Sequence, residues 1–155
     1  MEIKYIVTAN AGRARFFSRL RPNAPLEEIN DMVNTAARLR TAETESDELG
    51  QLAASKSRHS VGAPTQGSGY EPNQSPAEHQ TELFARSVAD YLARAHREGH
   101  FNRLVLAASP EFLGVLRKLL DPNVESAIEL EINKDYTQLN KEKLRDQIDA
   151  HSAKV

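Results

Sequence analysis

Residues 83–120 limit the possible folds of this chain most strongly, because an amphipathic helix, an apolar strand and a second helix follow one another there with almost no slack. The strand, residues 103–108, is apolar on both faces after its first residue, which is typical of a strand inside a parallel sheet. Ser109, Pro110 and Glu111 follow it directly and have the chemistry of a helix start. The segment therefore predicts a βα unit of a parallel sheet.

The helix before this strand carries its own start and stop signals. Ser75, Pro76 and Glu78 have the spacing of a capping box with proline in the first turn, and Gly99 provides a left-handed end. The apolar stripe predicts a buried face formed by Phe84, Val88, Tyr91, Leu92 and Ala95. On the other side we expect a chain of opposite charges that comprises Glu82, Arg86, Asp90 and Arg94.

The N-terminal region predicts strands, with one ambiguous segment. Residues 3–8 and 14–20 are rich in β-branched and aromatic side chains, and the turn residues 10–12 lie between them, so we expect a β-hairpin. Residues 26–40 are compatible with a helix or a third strand. The spacing of their apolar residues slightly favours the helix.

The C-terminal region predicts a helix, an edge strand and a final helix. The helix after residue 110 ends at Asp121 and Pro122. Residues 127–132 then alternate between apolar and acidic side chains, as in a strand with one buried face. Asn140 can cap a last helix, with Leu144 and Ile148 as its core contacts.

Together these elements predict an α/β domain with a mixed sheet of about five strands and helices on its faces, the three-layer ribonuclease H-like arrangement. Residues 41–74 are rich in Ser, Gly and Pro, so we expect a long flexible loop before the first long helix. At 155 residues, the chain fits a single domain over residues 1–155.

Composition excludes several classes of protein. The chain has no cysteine, which excludes disulfides, thiolate catalysis and cysteine zinc sites. No apolar run has the length of a signal peptide core or a membrane helix, so we expect a cytoplasmic protein without a membrane partner. His96 and His100 are four residues apart, but Gly99 intervenes and no third ligand is near, so we expect no metal.

Residues 1–22 are basic and residues 26–50 are acidic, so the two stretches could attract one another or face a partner. Arg13 and Arg15 share strand parity with Arg19 and Arg21, and such a row could hold the phosphates of a structured RNA. The alternative is a solvated strand face. The net charge of −2 argues against a protein dedicated to nucleic acids.

The sequence resembles the bacterial host attachment protein family. The resemblance covers nearly the whole chain and is carried by residues 10–17, 83–86, 101–117 and 134–139. It implies a role in attachment to host cells, and the absence of an export signal suggests an indirect role from inside the cell.

This family is similar in turn to the middle domain of the class 1 peptide-chain release factors of archaea and eukaryotes, which has the ribonuclease H-like topology. In those factors a Gly-Gly-Gln tip reaches the ribosomal peptidyl-transferase centre. The comparable loop here reads Gln66-Gly67-Ser68-Gly69, so peptidyl-tRNA hydrolysis does not carry over. The resemblance still suggests a ribosome contact through residues 58–69, with Arg58, His59 and Gln66 as the candidate residues.

A second group of candidates follows strands that we expect to be parallel. Ser109 comes after the apolar strand, and Asp135 and Thr137 come after the edge strand, so all three should face one crevice end of the sheet. The simpler alternatives are a helix cap for Ser109 and a local turn for Asp135. The ribonuclease H reaction needs clustered acidic metal ligands, and neither the first strand nor the apolar strand 103–108 has an Asp or Glu at its centre, so we do not expect metal-dependent nuclease activity.

We therefore expect a binding or regulatory module rather than an enzyme, without catalytic residues, metal or small-molecule cofactor. The expected partners are a ribosome or structured RNA, another protein, or a second copy of the chain.

Overall fold

A computed structural model of the protein describes residues 2–37 and 74–153. Within these residues there are five strands: β1 Lys4–Asn10, β2 Arg13–Arg19, β3 Glu27–Val33, β4 Arg103–Ala108 and β5 Ile128–Ile132. They form one sheet in the order β3-β2-β1-β4-β5. β2 runs antiparallel to both of its neighbours, whereas β1, β4 and β5 run parallel to one another. The prediction of a mixed sheet in an α/β fold is confirmed.

Helices cover both faces of the sheet. The described helices are α1 Pro76–Arg97, α2 Pro110–Leu119, α3 Pro122–Ala127 and α4 Lys141–Ala153, and residues 35–37 are also helical. Side chains of β1 alternate between the two faces: Tyr5, Val7 and Ala9 pack in a core with α1, α2 and α3, while Ile6 packs in a second core with α4. Three layers result, with the sheet in the middle.

Several local predictions are confirmed. The hairpin pairs β1 with β2 through a turn at residues 11–12. α1 begins with the capping box, in which the backbone N–H of Glu78 donates to Ser75 Oγ at 3.1 Å and the backbone N–H of Ser75 donates to Glu78 Oε1 at 2.8 Å. Gly99 ends α1 with a positive φ of 79°, where a side chain would be strained. Asn140 caps α4 by accepting a hydrogen bond from Lys143 N at 2.8 Å.

The helix favoured for residues 26–40 is wrong over most of the described part. Residues Glu27–Val33 form β3, and helical geometry begins only at residue 35. Pairing with β2 decides the outcome, because it gives the backbone of residues 27–33 hydrogen bonds in the sheet. Two of the residues that suggested a helix, Ile29 and Val33, are instead 39% and 41% exposed.

Two further expectations need correction. The chain does not pass from α2 directly to β5, because α3 lies between them and Asp121 caps it by accepting a hydrogen bond from Asn123 N at 2.8 Å. The charge chain along α1 reduces, among the described residues, to one ion pair between Arg86 and Glu82. Residues 41–73 of the predicted loop, with Arg58, His59 and Gln66, lie outside the described residues.

Candidate functional site

A polar cluster lies at the carboxyl end of β1, where the chain returns from β5. The Asn10 side chain donates to Asp135 Oδ2 at 2.8 Å and to Thr137 Oγ1 at 3.1 Å, and its oxygen accepts from the backbone N–H groups of Gly12 and Arg13. Thr137 is fully buried, and its hydroxyl donates to Asp135 Oδ1 at 2.7 Å. Asn10 thus uses all of its donors and acceptors to join the β1–β2 turn to the segment after β5.

Arginines of β2 extend this cluster across the same face of the sheet. Arg15 forms a bidentate pair with Glu28 at 3.0 and 2.9 Å and also donates to the carbonyl oxygens of Thr137 and Leu139. Arg13 pairs with Asp31 in the same bidentate manner, at 3.0 and 2.7 Å. Both carboxylates belong to β3. The attraction between the basic and acidic stretches is therefore realised between adjacent strands.

Arg19, the next member of the row, ties β2 to α4. It is only 5% exposed, donates to the carbonyl of Ala24 at 3.0 Å, and forms a bidentate pair with Asp149 at 2.8 and 3.2 Å. The hydrogen bond from Arg19 is the main reason that the pKa of Asp149 lies below its ordinary value.

The electrostatics of Asp135 follow from the same contacts. Burial raises the pKa of this carboxyl, but the hydrogen bonds from Asn10 and Thr137 outweigh burial, so that its pKa lies below the ordinary value. Asp135 is therefore a charged acceptor at neutral pH, held by donors of the protein itself. A general acid or base would need the opposite environment, one that moves its pKa towards neutrality.

The other face of the sheet, at the same edge, has a groove between α1 and α2. Its volume is about 800 Å³, and Ala11, Phe112, Val115 and Leu119 give it an apolar surface. The two helices meet beside it through Phe84 and Phe112, whose ring centroids are 5.8 Å apart.

Ser109 lines this groove rather than the polar cluster. Its backbone N–H donates to the carbonyl of Ala9 at 3.1 Å, which joins the ends of β1 and β4. Ser109 occupies the N-cap position of α2, as expected, but its side chain makes no capping hydrogen bond. The preceding strand sets the position of Ser109, and Pro110 starts the helix without the hydroxyl.

Acidic side chains surround the groove. Among the described residues, Glu78, Glu82 and Glu111 line it together with one cation, Lys118. Hydrogen bonds from Gln74 and then Arg86 lower the pKa of Glu82, which keeps this carboxylate charged. The groove therefore combines an apolar surface with a rim on which, among the described residues, carboxylates outnumber cations even though Glu82 is paired with Arg86.

Comparison with known proteins places the chain in a family. The family described as "Protein required for attachment to host cells" matches residues 5–148. The chain belongs to this family. No curated protein matches this chain.

Solved structures give weaker likenesses. One described as an archaeal protein is 9% identical, with a TM-score of 0.44, over 97% of this chain and 38% of its own. The type II variant of the Ppx/GppA phosphatase of Aquifex aeolicus is 10% identical, with a TM-score of 0.37, over 85% of this chain and 35% of its own. This host attachment family chain thus spans little more than a third of either structure.

Of the five sequence-predicted site residues that the structure describes, three meet in the polar cluster, one lies next to it and one lies elsewhere. Arg15, Asp135 and Thr137 lie in the polar cluster and Arg13 lies beside it, whereas Ser109 lies in the groove. Asn10, the centre of the cluster, was predicted as a turn residue but not as a site residue, because its contacts with Asp135 and Thr137 are distant in sequence. RNA binding by the arginine row stays a prediction. Three of the arginines are paired with carboxylates, so they would have to exchange these partners for phosphates.

Metal and membrane signals can be assessed for the same part of the chain. Within residues 2–37 and 74–153, no three His, Cys, Asp or Glu side chains converge as metal ligands do. The His96 ring packs 5.3 Å from the ring of Phe101, and His100 lies beside Glu98. Over the same ranges no helix is both long and apolar enough to cross a bilayer.

Proposed function

We propose that this chain is a non-enzymatic binding module that contributes indirectly to attachment to host cells, acting in the cytoplasm through the groove between α1 and α2. Its family supports the link to attachment. The groove carries the binding part of the proposal, since it offers an apolar surface beside three carboxylates. The complementary partner is a basic protein segment with apolar side chains.

The hydrogen bonds of the neighbouring polar cluster support a binding module that catalyses no reaction. Catalytic side chains need free donors or acceptors directed at a substrate. Asn10, Asp135, Thr137 and Arg15 instead form hydrogen bonds with one another and with nearby backbone groups. Among the described residues at this edge of the sheet, the groove rather than the polar cluster is the surface that a partner can use.

The fold relationship is part of the same proposal. A strand order of β3-β2-β1-β4-β5 in which only β2 is antiparallel supports a ribonuclease H-like domain. The release-factor similarity suggested by the sequence stays a prediction. An experimental structure with a different order or sense of these strands would contradict the ribonuclease H-like assignment.

The test is complementation of a strain that lacks this chain. Val115 lines the groove and is half-buried, so Val115→Lys places a cation on the apolar surface. The matched control is Val33→Lys, the same change at a valine that is 41% exposed on β3. We expect Val33→Lys to restore attachment to host cells and Val115→Lys to fail, with both purified proteins folded by circular dichroism.

Full attachment by cells that carry a folded Val115→Lys protein would show that the groove is not the binding surface. The indirect part of the proposal has a separate test. Protease treatment of intact cells should leave the protein undigested, whereas digestion at the cell surface would show a direct role.

A further inference from the structure

Tyr5 is a buried polar side chain whose hydroxyl has no protein partner in the part of the chain that the structure describes. The residue is 6% exposed, and its ring stacks on Phe101 with centroids 4.6 Å apart. No side chain or backbone group within residues 2–37 and 74–153 forms a hydrogen bond with its hydroxyl. Buried tyrosine hydroxyls usually find a partner, so this one requires an explanation.

Tyr5 lines the floor of an open surface cavity of about 340 Å³ beside the C-terminal half of α1, at the end of β1 opposite to the polar cluster. Tyr91 of α1 lines the same cavity, and Ile29 and Ala95 provide apolar surface. Burial and then the neighbouring Tyr91 raise the pKa of Tyr5, so its hydroxyl keeps its proton and remains a donor at neutral pH. The volume is at the lower end of the range for small-molecule sites.

Arg94 gives the cavity an available cation. Arg94 is exposed on α1, and although Asp90 and Glu98 lie four residues before and after it, Arg94 forms no ion pair with any residue of the described ranges. Glu98 lies 3.3 Å from His100 Nε2 and pairs with that ring when it is protonated. The guanidinium of Arg94 can therefore bind an anion without first losing a partner.

We propose that this cavity binds a small organic carboxylate, with its oxygens at Arg94 and the hydroxyls of Tyr5 and Tyr91 and its hydrocarbon part against Ile29 and Ala95. A cation is disfavoured by Arg94. A doubly charged phosphate is disfavoured by Glu98 and by the negative end of the α1 dipole, whose last turn is nearby. A monoanion with an apolar body satisfies the hydroxyl, the guanidinium and the apolar wall together.

The proposal is independent of the groove, which lies at the other end of α1. The experiment is an NMR titration of the purified protein with benzoate, and with benzyl alcohol and inorganic phosphate as comparison ligands. We expect saturable shifts at the backbone of Tyr91 and Ala95, with a dissociation constant for benzoate of about 1 mM. Benzyl alcohol, which lacks the charge, and phosphate, which lacks the apolar body, should bind more weakly.

Variants decide whether the named residues bind the ligand. Tyr5→Phe and Arg94→Gln should each weaken benzoate binding by about tenfold, because each removes a donor to a charged oxygen. Arg86→Gln, the same change at an exposed arginine two turns earlier on α1, should leave the affinity unchanged. Equal affinity in wild type, Tyr5→Phe and Arg94→Gln, or the absence of a saturable shift up to about 50 mM, would overturn the proposal.

Discussion

The two ends of β1 treat polar side chains in opposite ways. At the carboxyl end, Asn10 satisfies all of its hydrogen-bonding groups, and Thr137, although fully buried, has two partners. At the amino end, the hydroxyl of Tyr5 and the guanidinium of Arg94 have no partner among the described residues. Burial alone does not explain the difference, because Thr137 and Tyr5 are both buried.

This difference separates polar groups that stabilise the fold from polar groups that can bind a ligand. A polar network whose members are all satisfied rigidifies the fold and has little capacity left for a ligand. A buried donor without a partner weakens the fold slightly and can gain from a ligand. Four predictions test the distinction, in order of decreasing expected effect.

The largest effect should come from comparing two arginines. Arg15→Met removes the partner of Glu28 and leaves two carbonyls without their donor, so the free energy of unfolding should fall by about 3 kcal/mol. Arg94 is exposed and its side chain has no ion pair within residues 2–37 and 74–153, so Arg94→Met should change the free energy of unfolding by less than about 0.5 kcal/mol. Urea denaturation measures both, and equal losses would show that the two ends of β1 do not differ.

The centre of the polar cluster can be tested with asparagine variants. Asn10→Ala leaves the backbone N–H groups of Gly12 and Arg13 without their acceptor and should cost about 2 kcal/mol. Asn133→Ala changes an exposed asparagine close in sequence to Asp135 and serves as the control, with a loss below about 0.5 kcal/mol. A loss from Asn10→Ala no greater than that of the control would contradict the role of the cluster.

Removal of one hydroxyl at each end of β1 gives the sharpest comparison. Thr137→Val keeps the shape but breaks two hydrogen bonds, so we expect a loss of about 1.5 kcal/mol. Tyr5→Phe removes a hydroxyl that has no protein partner in the described ranges, so stability should stay level or rise by about 0.5 kcal/mol. Thermal unfolding without added ligand checks both. A loss from Tyr5→Phe as large as that from Thr137→Val would reveal a partner for the phenol.

The smallest effect is the pH dependence of the cluster. The pKa of Asp135 is lower in the folded protein, so its contribution to stability is complete above the unfolded pKa of about 3.9 and disappears as pH falls through the folded value. The pKa of Asp149 is also lowered, by its hydrogen bond from Arg19, so its contribution to stability is lost over acidic pH as well. In Asp135→Asn, the free energy of unfolding measured by urea denaturation should therefore fall less steeply with decreasing pH than in the wild type, but it should still fall because Asp149 remains.

An independent measurement concerns the donor to Asp135. NMR titration of the Asp135 carboxyl carbon should show a higher pKa in Thr137→Val, because a hydrogen bond to the charged form is lost. An unchanged pKa in that variant would contradict the explanation by hydrogen bonding.

The sequence predicted elements whose signals are local. The apolar strand β4 and the capping box at Ser75 are each readable within a few residues. The sequence left β3 open between a helix and a strand and slightly favoured the helix, because pairing with β2 determines the strand and Ile29 and Val33 are exposed on it. α3 had a readable signal in Asp121 followed by Pro122.

The candidate site was predictable in part. Parallel strands indicated that Asp135 and Thr137 would lie near the carboxyl end of the sheet, and strand parity placed Arg13 and Arg15 on one face. The acceptors of Arg15 were not predictable, because the carbonyls of Thr137 and Leu139 are 122 and 124 residues away in the sequence. The same holds for the cavity at Tyr5, which exists only when β1, β3 and α1 are assembled.

The contact between Arg19 and Asp149 spans 130 residues, which sets an order of events during synthesis. At about 5–20 residues per second, α4 leaves the ribosome roughly ten seconds after β2. Until then, the face of the sheet that carries Ile6 and Phe17 lacks its covering helix. A nascent chain at this stage displays an apolar surface that chaperones recognise, and translation of α4 ends that exposure.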